Sequence, residues 1–218
     1  KLGGIHGTVT DIISVESRYS VAVETALGAA LQNIIVDNEE TAKRCIKYLK
    51  DNNGGRATFY PITSVKGSTL QQNGLDNEEG FEGLGSELVK YDPKYDGIIK
   101  SVLGRTAVVD DINSATYIAK KYGYKFRIIT LDGQIVNAGG SFTGGSVKEN
   151  SGIISRKQEI DRLSSEITEL SAKIEGFKNG FSDLQAEVNK MSLEIEGFNE
   201  RLNSLVQEEI RLTAEIGG

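Results

Sequence analysis

The stretch Asn137-Ala138-Gly139-Gly140-Ser141-Phe142-Thr143-Gly144-Gly145-Ser146 is the most unusual part of the sequence. Paired glycines leave backbone N–H and C=O groups open to whatever approaches them. Three uses compete for such a segment. A phosphate cradle needs a Gly-Lys-Ser/Thr ending, or a Gly-x-Gly-x-x-Gly opening a helix with an acidic residue ~20 positions on, and neither is present. A flexible linker fits poorly, because the stretch is short and carries Phe142 at its centre. A strand stripped of side chains, so that another backbone can pair with it, fits best; association of subunits through a sheet edge has this need.

Other reactive groups are sparse. Asp37 and Asp110 each end an apolar strand-like run, a place where α/β enzymes put carboxylates, but also the ordinary place for a turn or helix-start aspartate. His6, the single histidine, makes no triad with the many serines. Cys45 falls on the apolar face of a helical pattern, as a core thiol does. Catalysis therefore has little support. Two basic clusters remain. Lys120, Lys121, Lys125 and Arg127 interleave with Tyr122, Tyr124 and Phe126, a pattern compatible with phosphate contact plus base stacking. Lys148, Arg156 and Lys157 lie where the glycine-rich part meets the tail. Each cluster also reads as a plain solvated face.

The elements that must position these residues fall into two regions. The chain has 218 residues and a net charge of -6, with 31 Asp+Glu against 25 Lys+Arg. Residues 1–150 hold 19 of the 25 glycines and are nearly neutral, so the acidity belongs to the tail. One Cys and one His exclude a disulfide framework and a multi-His metal site, and fit a reducing cytosolic compartment. Apolar runs are too short to span a membrane, and Lys1-Leu2-Gly3-Gly4 lacks a signal core.

In residues 1–150 strand-like runs alternate with helical patterns, which predicts a mixed α/β fold. Ile5–Val9 and Ile12–Val15 read as strands and Tyr19–Gly28 as a helix. Asn33–Asp37 is a strand, Asn38–Asp51 a helix with Ala42, Cys45, Ile46 and Leu49 inward, and Arg56–Tyr60 a strand closed by Pro61. The order then returns as Asp96–Gly104, Thr106–Asp110, Asp111–Tyr122 and Lys125–Leu131. Two similar sub-domains are expected, 1–85 including a polar linker over Lys66–Gly85, and 86–152.

Residues 153–218 read as a coiled-coil arm. Apolar residues fill the a and d slots from Ile160 to Ile216, with Glu209 the single break. A seven-residue repeat held this long predicts left-handed winding around a partner helix, over about 85 Å. Ser155-Arg156-Lys157-Gln158 has the form of a capping box, placing the helix start near Arg156. Gly176, Gly180 and Gly197 are weak points within it. No second heptad stretch is present, so the partner helix is expected from another chain or from sequence upstream of Lys1.

Taken together, GIHGTVTDII, VAVETALGAALQNIIVD, GGRATFYPI and TLDGQIVNAGGSFTGGS running into a coiled coil resemble the hinge domain of bacterial SMC (structural maintenance of chromosomes) proteins, over the whole chain. The resemblance implies a ring-shaped homodimer with Gly139, Gly140, Ser141, Phe142, Thr143, Gly144 and Gly145 at the subunit contact. It implies weak DNA binding near the junction, favouring Lys148, Arg156 and Lys157 over Lys120, Lys121 and Lys125. It further implies cytoplasmic, nucleoid-associated work in chromosome condensation and segregation. ATP, Mg and the kleisin and accessory subunits would belong to head domains outside this sequence, so no cofactor and no catalysis are expected here. The arm helix that enters a hinge does not precede Lys1, so arm pairing within the chain is not expected. The competing readings are a small nucleotide-binding α/β enzyme with a coiled-coil appendage, and a protein-binding scaffold.

Overall fold

A computed structural model describes residues 3–146 and 152–216. It divides into two compact units, Lys1–Glu159 and Ile160–Gly218. The first repeat runs β1 (Ile5–Thr8), α1 (Val9–Ile12), β2 (Ile13–Val15), α2 (Ser20–Leu27), β3 (Ile34–Val36), α3 (Glu39–Asp51) and β4 (Phe59–Pro61). The second runs β5 (Phe81–Leu84), β6 (Val89–Tyr91), α4 (Asp96–Leu103), β7 (Thr106–Val109), α5 (Ile112–Lys121) and β8 (Arg127–Thr130). Then follow β9 (Ile135–Val136), β10 (Phe142–Thr143) and the 64-residue helix α6 (Ile153–Ile216).

The repeat goes deeper than the sequence pattern showed. β3 and β4 pair in parallel around α3, as β7 and β8 do around α5. β1 pairs antiparallel with β3, and β5 with β7, each with a register shift at its glycine, Gly7 or Gly83. β2 and β6 pair with each other, so each repeat gives one strand to a shared ribbon. Gly7 and Gly83, Tyr19 and Tyr95, and Leu27 and Leu103 all lie 76 residues apart.

Local sequence explains the helices. The Asn38 side chain accepts the Thr41 N–H, and Glu39 and Glu40 occupy the first turn of α3, where carboxylates meet the positive end of the helix dipole. Asp111 does the same for α5, accepting from Asn113 and Ser114, with Lys120 and Lys121 in the last turn. The helices α2 and α4 pack on each other. They share one core cluster containing Val23, Leu27, Ile98, Ile99 and Leu103, all buried. Neither repeat could bury these residues alone. A second cluster lies within the second repeat, around Ala107, Ile118, Phe126 and Ile128.

The structure corrects several sequence expectations. Residues 9–12 form a helical turn instead of starting the second strand, because the Asp11 carboxylate takes the Thr8 N–H at 2.9 Å and the Thr8 hydroxyl at 2.8 Å. β4 begins at Phe59 instead of Arg56, and Pro61 is its last residue. The proline is tolerated because β4 is the outer strand of the β1-β3-β4 sheet. Ile46 is 54% exposed, since it stands ~100° round the helix from the buried Cys45. The stretch 66–85 is not all linker: its last residues are β5, which pairs with β7 of the second repeat. Helix α6 begins at Ile153, before Arg156. The side chains of Ser155 and Gln158, which would make the capping box, lie outside the described residues. In the second unit the a and d residues Ile160, Leu163, Ile167 and Leu170 through Ile216 are exposed along one continuous helix, and Gly176, Gly180 and Gly197 do not interrupt it.

Candidate functional site

The glycine-rich stretch becomes a hairpin at a sheet edge. After β8, the chain turns at Gly133, whose N–H bonds the Thr130 carbonyl at 2.9 Å, and returns as β9. A second reversal at residues 137–141 is closed by Gly140 N–H to Asn137 O (3.0 Å) and Asn137 N–H to Ser141 O (2.8 Å). Gly139 and Gly140 carry φ of 87° and 92° there, a region that a side chain strains. β10 then pairs antiparallel with β9, Phe142 opposite Val136 and Thr143 opposite Ile135. In the five-stranded sheet β10-β9-β8-β7-β5, β10 is the outermost strand.

Backbone alternation decides which groups face outward. The Asn137–Ser141 bond puts the groups of Ser141 toward β9, so Thr143 and Gly145 also turn theirs inward. The N–H and C=O of Phe142 and Gly144 therefore point away from the sheet. The Phe142 ring is 52% exposed beside them. An open edge with an exposed aromatic side chain is a template for another strand.

The four glycines have different jobs. A Cβ on Gly144 would stand 2.0 Å from the Oε1 of Gln134, and one on Gly140 would stand 3.5 Å from the Tyr124 ring. Gly139 and Gly145 have open space where a Cβ would go. So at Gly144 the missing side chain answers a neighbour within the chain. Gln134 itself carried no signal in the sequence, because a lone glutamine in a turn has no motif.

The basic clusters are altered by their partners. Lys121 is bound to Glu78 at 2.8 Å, and Glu78 also accepts the Tyr122 hydroxyl at 2.7 Å. The Lys121 ammonium first, then Tyr122, holds the Glu78 carboxyl below its ordinary value. Phe126 is buried in the core. Arg127 donates to the Ala26 and Thr25 carbonyls at 2.9 and 3.2 Å, tying β8 to the end of α2. The aromatic interleaving is therefore packing, and the stacking expectation fails at Phe126. Lys120 and Lys125 are exposed and make no ion pair among the described residues. At the junction, the Lys157 ammonium lies 3.1 Å from the Thr10 carbonyl and 3.3 Å from Asp11, and Arg156 donates to the Gly152 carbonyl. Lys148 lies outside the described residues. Glu24 of α2 accepts the Ile153 N–H and Ile154 is buried in the shared core, so the first turn of α6 is anchored on the α/β unit.

The two strand-end aspartates make corresponding contacts in the two repeats. Asp37 takes the His6 Nε2 at 2.7 Å. Asp110 accepts the Asp111 N–H at 2.6 Å. Their own N–H groups bond the Gly4 and Gly80 carbonyls, at 3.0 and 2.9 Å. The Thr41 hydroxyl stands near Asp37 and the Ser114 hydroxyl near Asp110, around the positions a side chain on Gly4 or Gly80 would take.

The chain is thus a pseudo-symmetric α/β unit with an open glycine-rich edge strand, continued by a long helix with a heptad pattern. Residues 2–119 match the family described as the SMC proteins flexible hinge domain. The chromosome partition protein Smc of Bacillus subtilis (strain 168) is 40% identical over 177 residues, covering 79% of this chain and 15% of that protein. The Geobacillus stearothermophilus SMC hinge domain, solved as an asymmetric dimer, is 41% identical with a TM-score of 0.71, covering 79% of this chain and 71% of that one. The Pyrococcus furiosus SMC hinge domain gives 32% and 0.57, over 66% of this chain and 74% of that one. The chain belongs to the SMC hinge family. It spans about 15% of the length of the curated relative just named. Among the described residues no helix is long and apolar enough to cross a membrane.

Proposed function

We propose that this chain is the dimerisation hinge of a chromosome-organising SMC protein, pairing with a second copy and joining two coiled-coil arms. The open edge of β10 is the observation that carries this reading. The repeat supplies a complement. In the second repeat β8 is followed across the sheet by β9, whereas among the described residues its counterpart β4 is an outer strand of the β1-β3-β4 sheet. The β10 edge of one copy can meet the β4 edge of another, where Phe59 offers an N–H and a C=O outward and Pro61 a C=O alone, and two such contacts close a ring. The dimeric state of the Geobacillus relative supports the same reading.

Chromosome condensation and segregation, with a cytoplasmic, nucleoid-associated place of action, follow from the Smc relatives. ATP hydrolysis with Mg, and kleisin and accessory subunits, are assigned to head domains of the longer protein. DNA contact is proposed as weak, with Lys120 and Lys125 as its cations on this unit and Arg156 and Lys148 near the arm; Lys157 and Lys121 serve first as ties to Asp11 and Glu78. The nucleotide-enzyme reading loses ground because the glycine-rich turn leads into an edge strand, with its N–H groups spent on Tyr124 and Asn137.

The deciding measurement is sedimentation equilibrium of the chain against a Phe142→Lys variant. A charge on an edge strand blocks pairing without touching the core. A dimer that becomes monomeric supports the edge; an unchanged dimer sinks it.

A further inference from the structure

The backbone ladder between β9 and β10 ends at Thr143 opposite Ile135. Beyond it the chain turns at Gly133, and the backbone groups of Gly145 meet a side chain in place of a strand. That side chain is Gln134. Gly145 donates its N–H to Gln134 Oε1 at 2.9 Å, and Gln134 Nε2 donates to the Gly145 carbonyl at 3.0 Å. A primary amide carries the same donor and acceptor as a peptide group, and here it completes both bonds of a ladder pair. Its oxygen fills the space that a side chain on Gly144 would need.

We infer that Gln134 is a positioning residue for subunit pairing: its amide stands in for a missing ladder residue and holds Gly144 and Gly145 extended. The inference rests on the dimer reading above. Two adjacent glycines have more backbone freedom to lose than any other pair, and an edge already held straight avoids that cost at the moment of association. With Gly145 latched inward, the N–H and C=O of Gly144 are aimed outward beside those of Phe142. Gly144 is then glycine because of Gln134, not because of the partner.

The test compares the full chain with Gln134→Ala, Gly144→Ala and the double variant, by sedimentation equilibrium and by hydrogen exchange at the Gly145 amide in dilute, monomeric samples. Gln134→Ala should weaken the dimer about tenfold and speed exchange at Gly145, with the melting temperature nearly unchanged. Gly144→Ala should act alike by expelling the amide, and the double variant should be no worse than either single change. Losses that multiply in the double variant place Gly144 against the partner and overturn the inference. A wild-type dimer that Gln134→Ala leaves untouched overturns it alone. A wild-type chain that is monomeric at every concentration overturns the dimer reading and this inference with it.

Discussion

His6 Nδ1 lies 3.1 Å from the hydroxyl of Tyr95, 89 residues away along the chain. The reverse contact is made by their equivalents, since Glu82 accepts the Tyr19 hydroxyl at 3.2 Å. Each repeat thus sends a residue from its first strand to the tyrosine that leads into the other repeat's central helix. The pair forms a reciprocal clasp over the shared α2–α4 core. The two arms of the clasp differ in chemistry: His6 is backed by Asp37, whereas Glu82 is also paired with Arg18.

Removing one hydroxyl from the clasp isolates its contribution. Tyr95→Phe should destabilise the α/β unit by about 1 kcal/mol, the ordinary worth of a hydrogen bond. Tyr19→Phe should cost less, because Arg18 still satisfies Glu82. Urea unfolding followed by the near-ultraviolet tyrosine signal gives both values.

Acid should loosen the junction through Asp11. Its carboxyl is held below the ordinary aspartate value, foremost by the Thr8 N–H and then by the Thr8 hydroxyl, with Lys157 adding to the effect. A carboxyl lowered in the folded state stabilises that state above its unfolded value, and this contribution fades as pH falls through the folded value. Asp11→Asn should therefore be less stable than the parent near neutral pH, and the gap should narrow as pH falls below the ordinary aspartate range. Parallel unfolding curves at several pH values read the difference directly; a gap that stays constant with pH refutes the assignment.

Charge reversal separates the cations that face solvent from those that tie the fold. Lys120→Glu with Lys125→Glu should weaken binding of a labelled single strand and flatten its log–log salt slope by about 1.4, two phosphate contacts at ~0.7 each. An unchanged slope returns these lysines to the role of solvated surface. Lys157→Glu should disturb the Asp11 contact first, visible as a lower melting temperature without DNA.

The arm helix carries glycines with no packing reason. Nothing lies within 4 Å of a Cβ built at Gly176, Gly180 or Gly197. Each replaced by Ala should stabilise the helix by about 1 kcal/mol, measured as a higher circular-dichroism midpoint of the coil. A lower midpoint at any one of them marks a site where a partner helix comes too close for a methyl group.

Much of the fold was readable because its signals are local. Asn38 and Asp111 announce their helices by capping. The return of a helix, strand, helix and strand announced the repeat. The correspondence of β1 with β5 and of β2 with β6 stayed hidden, because strands of three or four residues carry too little periodicity, and because Phe81–Leu84 lies in a polar, glycine-rich stretch. At the candidate site the glycine-rich segment was legible as an edge, while Gln134 was not, since its role depends on where a turn brings Gly145. The Lys120 group reads in sequence as one surface, whereas in the fold Phe126 lies in the core and Lys121 is held by Glu78, with Lys120 and Lys125 exposed.

By itself, the sequence determined the α/β class, the repeat, the heptad arm and the glycine-rich edge, all of which follow from residue type and spacing along the chain. Only the tertiary structure decided what each glycine is for, which lysines already have partners, and how the repeats hold each other. Those are distances between residues far apart in sequence, such as His6 and Tyr95 or Gln134 and Gly145. No pattern of neighbours along the chain encodes them, because they exist only after the shared core has closed.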